Sequence, residues 1–299
     1  MLMKYYSITV AYHPNENLES QIKCLLSAGL LPIVVFNSKY QGHLDTLKDI
    51  LIIKNETNVG LAKAINLGVS DAMREGCDGF ILFDQDSVPT KEMISKLIRA
   101  AEDLNNRIGN LGSIGPQIFN QSDNSVWPVP VSRENQLVFI NRFEHEFVEA
   151  EFLITSGIFI FSKVWKNVGG YREDFFIDGL DIEWGYRAKS LGYKNFVFGN
   201  SKLLHNLGDR SVQILPFLKK RMIVHSAIRR FYMYRNYLWM LYLPHIPKQF
   251  KIHYGLKLSK MLLGILLSPL QWASVIKIFL GIRQGLFFRP KTLAKTIVN

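Results

Sequence analysis

The chain has 299 residues, 48% hydrophobic and 20% charged, which excludes a disordered protein and leaves room for one large domain or two small ones. The net charge of +11 is unevenly spread: residues 210–299 hold 16 Lys and Arg and no acid, whereas residues 1–209 carry a net −5. Two cysteines, Cys24 and Cys77, give no disulfide framework or Cys-rich metal site, and Met1-Leu2-Met3-Lys4 lacks the apolar core of a signal peptide, so a reducing cytoplasmic setting is expected.

In chain order, the first expected strand is Ser7-Ile8-Thr9-Val10-Ala11-Tyr12, rich in β-branched residues and broken by His13-Pro14. Apolar residues at Leu18, Ile22, Leu25 and Leu26 predict a helix from Asn17 to Ala28 that Gly29 stops. Leu31 to Phe36 and Ile50 to Ile53 read as two more strands. A helix then opens through Asn58 and Gly60, and Asp78 to Phe83 forms a fourth strand. Strands alternating with single helices predict βαβ units: an α/β fold with a mixed, mostly parallel sheet flanked by helices.

An amphipathic helix over 91–107 follows. Ser113 to Ile118 reads as less regular, Asn120 to Pro130 as an exposed loop, and Leu137 to Ile140 as a short strand. Glu151 to Phe161 is an apolar run containing Gly157, a sign of a bulge or a close backbone approach. A short helix over Trp165 to Tyr171 ends at Gly169-Gly170. The next places Asp181 near its N-cap, with Trp184, Ala188 and Leu191 on one face and Gly192 at its end. Phe196-Val197-Phe198 is the last short strand.

The chemistry sits where Phe80-Ile81-Leu82-Phe83 runs into Asp84-Gln85-Asp86-Ser87. Ligands of open α/β sheets bind beyond the carboxyl ends of the strands, so these two carboxylates stand where a ligand would stand. Carboxylate oxygens suit Mg²⁺ and Mn²⁺, and Mg²⁺ is usually held by one or two carboxylates plus substrate phosphates. The plainer reading is a solvated turn. Two other elements offer ligands: the cluster Asp178, Asp181 and Glu183, and His205. A metal on Asp86 and His205 would neutralise a leaving diphosphate, while a separate carboxylate takes a proton from an acceptor hydroxyl. That division of labour suits a single-displacement sugar transfer.

Several motifs stand in a telling order. They are Val10-Ala11-Tyr12-His13-Pro14, Asn58-x-Gly60-x-Ala62-x-Ala64-x-Asn66-x-Gly68, Asp84-Gln85-Asp86-Ser87 and Thr155-Ser156-Gly157. Then come Gly169-Gly170-Tyr171, Asp178-x-x-Asp181-Ile182-Glu183-Trp184-x-x-Arg187-Ala188, His205-x-x-Gly208-Asp209 and Arg230-x-Tyr232-x-x-Arg235-Asn236. The set, covering roughly residues 5–240, resembles the family 2 inverting glycosyltransferases of GT-A fold, a Rossmann-like nucleotide-diphospho-sugar transferase fold, and within them the bacterial rhamnosyltransferases.

The resemblance implies that Ala11 and Tyr12 line the nucleobase pocket and that Asn58, Gly60 and Asn66 sit by the nucleoside and the metal-side loop. Asn37 and Gln85 are counted with the nucleotide-binding residues. Asp84 would face the ribose and sugar and stand near the metal, which Asp86 and His205 bind. Asp181 would be the acceptor base, with Asp178 and Glu183 as rivals. Mg²⁺ or Mn²⁺ is the implied cofactor, and dTDP-L-rhamnose the favoured donor over a UDP-hexose. The implied acceptor is a lipid-linked glycan of a bacterial surface polysaccharide. Two positions depart from the family pattern: Phe36 stands where an Asp usually meets the base, and Leu180 where many members have a Glu.

Met261 to Leu270 is the most apolar run of the acid-free C-terminal third; Ser268-Pro269 interrupts it, and it falls short of the about 20 residues a spanning helix needs. Helices lying on an anionic membrane surface are expected there, rather than a core-packing hairpin; no nucleic-acid motif accompanies the basic charge. The expected layout is a catalytic domain over 1–209 and a basic helical extension over 210–299, peripheral on the inner face of the bacterial cytoplasmic membrane. Two other classes compete. A haloacid-dehalogenase-like phosphatase carries its D-x-D after the first strand, whereas three strands precede it here. A non-catalytic membrane-associated protein of the same fold would not need Asp84, Asp86, Asp181 and His205 together.

Overall fold

The computed structural model describes residues 3–288 apart from 15, 41, 43, 122, 144, 206–210, 214–220, 224 and 267–271. The strands are β1 (Tyr5–Ala11), β2 (Leu31–Phe36), β3 (Leu51–Lys54), β4 (Gly79–Asp84), β5 (Leu111–Asn120), β6 (Val129–Arg133), β7 (Gln136–Ile140), β8 (Phe147–Ala150), β9 (Phe159–Phe161), β10 (Lys194–His205), β11 (Ser211–Gln213) and β12 (Arg221–Ile223). Eight of them form one sheet in the order β3-β2-β1-β4-β9-β5-β10-β8; β6 pairs with β7 and β11 with β12. In the large sheet β8 and β9 are antiparallel to their neighbours and the other six strands share one direction. The carboxyl ends of β1, β2, β4 and β10 therefore open on the same edge, with Val10 level with Asp84 and Ala11 level with Phe36.

The helices are α1 (Asn17–Ser27), α2 (Leu61–Arg74), α3 (Lys91–Ile108), α4 (Ser162–Val168), α5 (Leu180–Ser190), α6 (Ala227–Leu241), α7 (Lys248–Leu266) and α8 (Trp272–Phe287). α1 and α3 cover one face of the sheet through Leu18, Ile22, Met93 and Leu97, which pack on Val34, Phe36, Ile81 and Phe83. α2, α4 and α5 cover the other through Ile65, Val69, Trp165 and Trp184, against Ile8, Val35, Phe80 and Leu82. A strand covered on both faces has no solvent side, which is why Phe80 to Phe83 reads as an unbroken apolar run.

Several elements differ from the sequence expectation. β5 is a regular ten-residue strand, its alternation masked by Gly112, Gly115 and Pro116. β10 runs twelve residues to His205; a register shift between Phe198 and Lys202 and the polar Asn200-Ser201 stretch conceal its continuity. β8 was not foreseen, and β6 takes the end of the expected loop. Residues 151–158 form a buried connection rather than a strand, and α4 begins three residues before Trp165. Gly179, with φ of 79°, caps α5 and leaves Asp181 in the first turn, near the cap as expected, but Leu191 is exposed rather than packed.

The C-terminal helices pack back onto the sheet domain. Phe250 of α7 is buried against Phe152 (ring centroids 5.9 Å) and against Tyr186 of α5 (5.4 Å). A second small core joins Met233, Tyr234, Leu258, Ile265, Val275 and Ile278 across α6, α7 and α8. The apolar run from Met261 to Ile276 divides between α7 and α8, and Ser268 and Pro269 lie outside the described residues. Among the described residues no helix is long and apolar enough to cross a membrane. Phe250→Ala is expected to lower the unfolding free energy by about 3–5 kcal/mol, measured by urea denaturation.

Candidate active site

Asp84 leaves β4 at the common edge, and a tight turn returns Asp86 and Ser87 toward β10. Ser87 N–H donates to the Asp84 carbonyl (3.1 Å). The buried amide of Gln21, on α1, donates to the carbonyls of Asp84 (2.8 Å) and Ser87 (2.9 Å). Val88 N–H then donates to the Leu204 carbonyl (3.1 Å), which seats the turn beside His205. His205 Nε2 lies 3.4 Å from Asp84 Oδ2, and its Nδ1 lies 3.5 Å from Asp86 Oδ1 and 3.3 Å from Ser87 Oγ. The Ser87 hydroxyl is hydrogen-bonded to that of Ser156.

The Thr155-Ser156-Gly157 motif has a steric reason. Gly157 has φ of 82°, and a Cβ there would stand 2.8 Å from Pro116 and 2.9 Å from Leu203, so only glycine lets Ser156 reach the turn.

One ligand atom from each of Asp84, Asp86 and His205 falls within 4.8 Å of the others. Two carboxylates and an imidazole at that spacing form a donor set that fits a divalent cation. Loss of water pushes the Asp84 carboxyl above its ordinary range; His205 and Arg229 oppose this, and Asp86 adds to it. A bound cation would offset the mutual repulsion of the two acids.

At the ends of β1 and β2, Tyr12 is 48% exposed with its ring against His13. Ala11 is fully buried, and its carbonyl accepts from Asn37 N–H (2.7 Å). Gln85 closes a double bond to the Tyr12 backbone, accepting from its N–H (2.7 Å) and donating to its carbonyl (3.1 Å). Asn37 donates to Asn58 Oδ1 (2.9 Å), which also accepts from Gly60 N–H (2.9 Å). The two amides thus tie β2 to the entry of α2. Phe36 is fully buried with its ring edge to Tyr40 (4.5 Å), so it packs instead of presenting a face to a base. Asn66 lies further along α2 and clamps the Tyr171 backbone through both its N–H (2.9 Å) and its carbonyl (2.8 Å).

The three acids of the second cluster have different surroundings. Glu183 is fully buried, held by Arg187 (3.0 and 2.9 Å) and His245 (2.9 Å). Burial alone would raise its carboxyl, but Arg187 and His245 outweigh that and keep it below the usual range. Asp178 is paired with Arg229 at 3.0 and 3.1 Å. Asp181 accepts a hydrogen bond from Ile182 N–H (2.9 Å), and no salt bridge to it is found among the described residues. Burial lifts its carboxyl to about 6; the Ile182 N–H opposes this, and the charges of Asp178 and Asp84 add to it.

The Arg235-Asn236 pair supports this loop. Asn236 donates to the carbonyls of Phe175 (2.9 Å), Ile177 (2.8 Å) and Asp178 (2.8 Å), and Arg235 to those of Asp174 (2.7 Å) and Phe175 (3.0 Å). Phe176 and Asp178 both hold positive φ, 64° and 65°. The Phe176 ring also fills the space a Cβ on Gly60 would need, 2.6 Å from its Cδ2. Sequence reasoning had placed Arg235 and Asn236 in a motif without a role, and it missed Gln21, Arg229 and His245. An amide or guanidinium acting across the fold leaves no local pattern.

The model of glycosyl transferase family 2 matches residues 36–163, from the end of β2 through the Asp84–Ser87 turn into α4. The dTDP-rhamnosyl transferase RfbF of Shigella flexneri is 30% identical over 249 residues, covering 81% of this chain and 81% of that protein. The chain belongs to family 2 of the glycosyltransferases, and the haloacid-dehalogenase-like alternative falls away. S. aureus TarS in complex with UDP superposes with a TM-score of 0.52 at 13% identity, covering 96% of this chain and 93% of that one. GalNAc-T7 with UDP, GalNAc and Mn²⁺ gives 0.54 at 13%, covering 68% of this chain; the chain spans only 44% of its length. These two likenesses establish the fold, the expected GT-A arrangement.

Two stability outcomes follow from the acids. Glu183→Ala leaves the half-buried Arg187 and the buried His245 without their acid and is expected to cost about 2–4 kcal/mol in urea unfolding. Asp181 carries a raised carboxyl, so its contribution to stability is present below about pH 4 and lost as pH rises to about 6. Asp181→Asn is therefore expected to be more stable than wild type by about 1–3 kcal/mol at pH 7.5, with the difference vanishing toward pH 4.

Proposed function

We propose that this chain transfers L-rhamnose from dTDP-L-rhamnose, with inversion, to a lipid-linked glycan acceptor in bacterial surface-polysaccharide synthesis. One observation carries the chemistry: Asp181 stands apart from the Asp84–Asp86–His205 cluster yet close enough to feel Asp84, while Asp178 and Glu183 are committed to ion pairs. The sugar assignment is supported by the likeness to the dTDP-rhamnosyl transferase RfbF.

Asp84, Asp86 and His205 would hold Mg²⁺ or Mn²⁺, which when bound supplies the counter-charge for a nucleoside diphosphate leaving group. Tyr12, Asn37 and Asn58 frame the nucleoside side of the edge. Asp181 takes the proton of the acceptor hydroxyl while that oxygen bonds to the anomeric carbon and the bond to the diphosphate breaks on the opposite face. Its raised carboxyl makes it a better base than an ordinary aspartate while leaving it ionised at pH 7. A UDP-hexose donor is the second reading; the buried Phe36 offers no carboxylate to the base, and thymine and uracil present the same N3–H there, so this position does not select between them.

The acceptor and the cellular location rest on the C-terminal helices. Ile252, Leu256, Leu263 and Leu266 are exposed at helical spacing along α7, and Ile276, Phe279, Leu280, Leu286 and Phe287 along α8. Lys251, Lys257, Lys260, Lys277 and Arg283 share these helices, which contain no acid. An apolar row edged with cations suits the interface of an anionic membrane, where a lipid-linked glycan would be met.

With Mg²⁺ or Mn²⁺ and a bacterial membrane extract as acceptor source, release of dTDP from dTDP-rhamnose is expected, reduced at least 100-fold in Asp86→Ala and in Asp181→Asn. Release from UDP-sugars alone would overturn the rhamnose assignment. The rate is expected to fall about tenfold per pH unit below about pH 6. Co-sedimentation with phosphatidylcholine vesicles is expected to need added phosphatidylglycerol and to weaken in 0.5 M NaCl, by roughly the loss expected of screened surface charges.

A further inference from the structure

A pocket of about 220 Å³ opens beside the catalytic edge. Asp181 and Ser156 line it, and the Ser156 hydroxyl is bonded to Ser87 of the acidic turn, so the pocket borders the chemistry. Trp127 and Phe139 line it from the loop before β6 and from β7, and His253 and Tyr254 from α7. Trp127 is 36% exposed and Phe139 42%, unusual for large rings on packed elements. The rings of Phe139 and His253 lie 5.0 Å apart at 31°, so the β6–β7 hairpin and α7 meet in one aromatic surface. Lys257 is the one Lys or Arg among the described lining residues, its ammonium 5.3 Å above the Tyr254 ring.

A mostly apolar pocket with a few placed polar groups orients a small ligand. The walls suit a pyranose: its C–H face would lie on the aromatic rings, and its hydroxyls would meet the Asp181 carboxylate and the Lys257 ammonium. We propose that this pocket seats the terminal pyranose of the acceptor, with the attacking hydroxyl at Asp181 and the aromatic wall completed by α7. The C-terminal extension then supplies part of the acceptor site as well as any membrane contact. The inference rests on the glycosyl-transfer reading above and adds the acceptor's address within the fold.

Saturation-transfer NMR on the full chain tests it, with Mg²⁺, dTDP or UDP, and a panel of methyl pyranosides (α-L-rhamnoside, β-D-glucoside, β-D-galactoside, N-acetyl-β-D-glucosaminide). At least one pyranoside is expected to receive saturation, reduced at least fivefold in Phe139→Ala and in His253→Ala. Nucleotide binding should stay within twofold in both variants, which also reports that they are folded. No pyranoside signal from a wild type that binds nucleotide, or signals unchanged in both variants, overturns the pocket assignment alone. Failure of wild type to bind either nucleotide overturns the donor reading beneath it.

Discussion

Two carboxylates at the mouth of a buried strand are the constraint around which this fold is arranged. Within 4.8 Å of one another, two unit charges repel by roughly 3 kcal/mol at an effective dielectric near 20. Asp84 has also lost water, which makes its charge dearer still. The surrounding residues hold the pair together regardless. Gln21 fixes both ends of the turn, Gln85 ties it to the end of β1, Ser156 docks it against the connection before β9, and Val88 docks it against β10. Geometry that keeps like charges together without relaxation is what a cation site requires: the ligands are oriented before the ion arrives.

The loop that leads into Asp181 carries backbone strain in place of repulsion. Phe176 (φ 64°, ψ −63°) is the centre of a γ-turn closed by Ile177 N–H donating to the Phe175 carbonyl (2.7 Å), and Asp178 holds φ of 65°; such conformations cost of order 1–3 kcal/mol for each non-glycine residue. Asn236 and Arg235, both buried on α6, take up the carbonyls this conformation turns inward. The stacking of Phe176 on Tyr232, with centroids 4.8 Å apart, adds to that support. The loop before Asp181 therefore depends on a helix of the C-terminal region, and α7 reaches the same neighbourhood through His253 and Tyr254. α6 and α7 thus pack on the loop and pocket around Asp181, although charge alone divides the chain at about residue 210.

The parallel half of the sheet was legible because its strands are covered on both faces and its helices carry single apolar stripes. β2 begins and ends at the expected residues, and α1 and α3 match to within a residue at either end. The acidic turn, the second acid cluster and His205 were legible as candidates, and the structure brings ligand atoms of Asp84, Asp86 and His205 within 4.8 Å of one another. What was concealed has physical causes. β5 and β10 carry glycine, proline and polar residues that break the period of two. The choice among Asp178, Asp181 and Glu183 depends on Arg229, Arg187 and His245, which approach from other elements and leave no spacing to read. Asn66, Asn37 and Gln85, grouped with the nucleotide by resemblance, spend their amides on protein partners.

We propose that Asp84, Asp86 and His205 form one cation site shared with the donor's diphosphate. Titrating Mn²⁺ into the protein and following the free-ion signal by electron paramagnetic resonance, with and without dTDP, tests it most directly. The account predicts binding by the wild type that tightens at least tenfold with dTDP, as reciprocal linkage requires, and that is lost in Asp86→Ala and weakened in His205→Ala. Mn²⁺ affinity that is indifferent to dTDP, or unchanged in both variants, would contradict it.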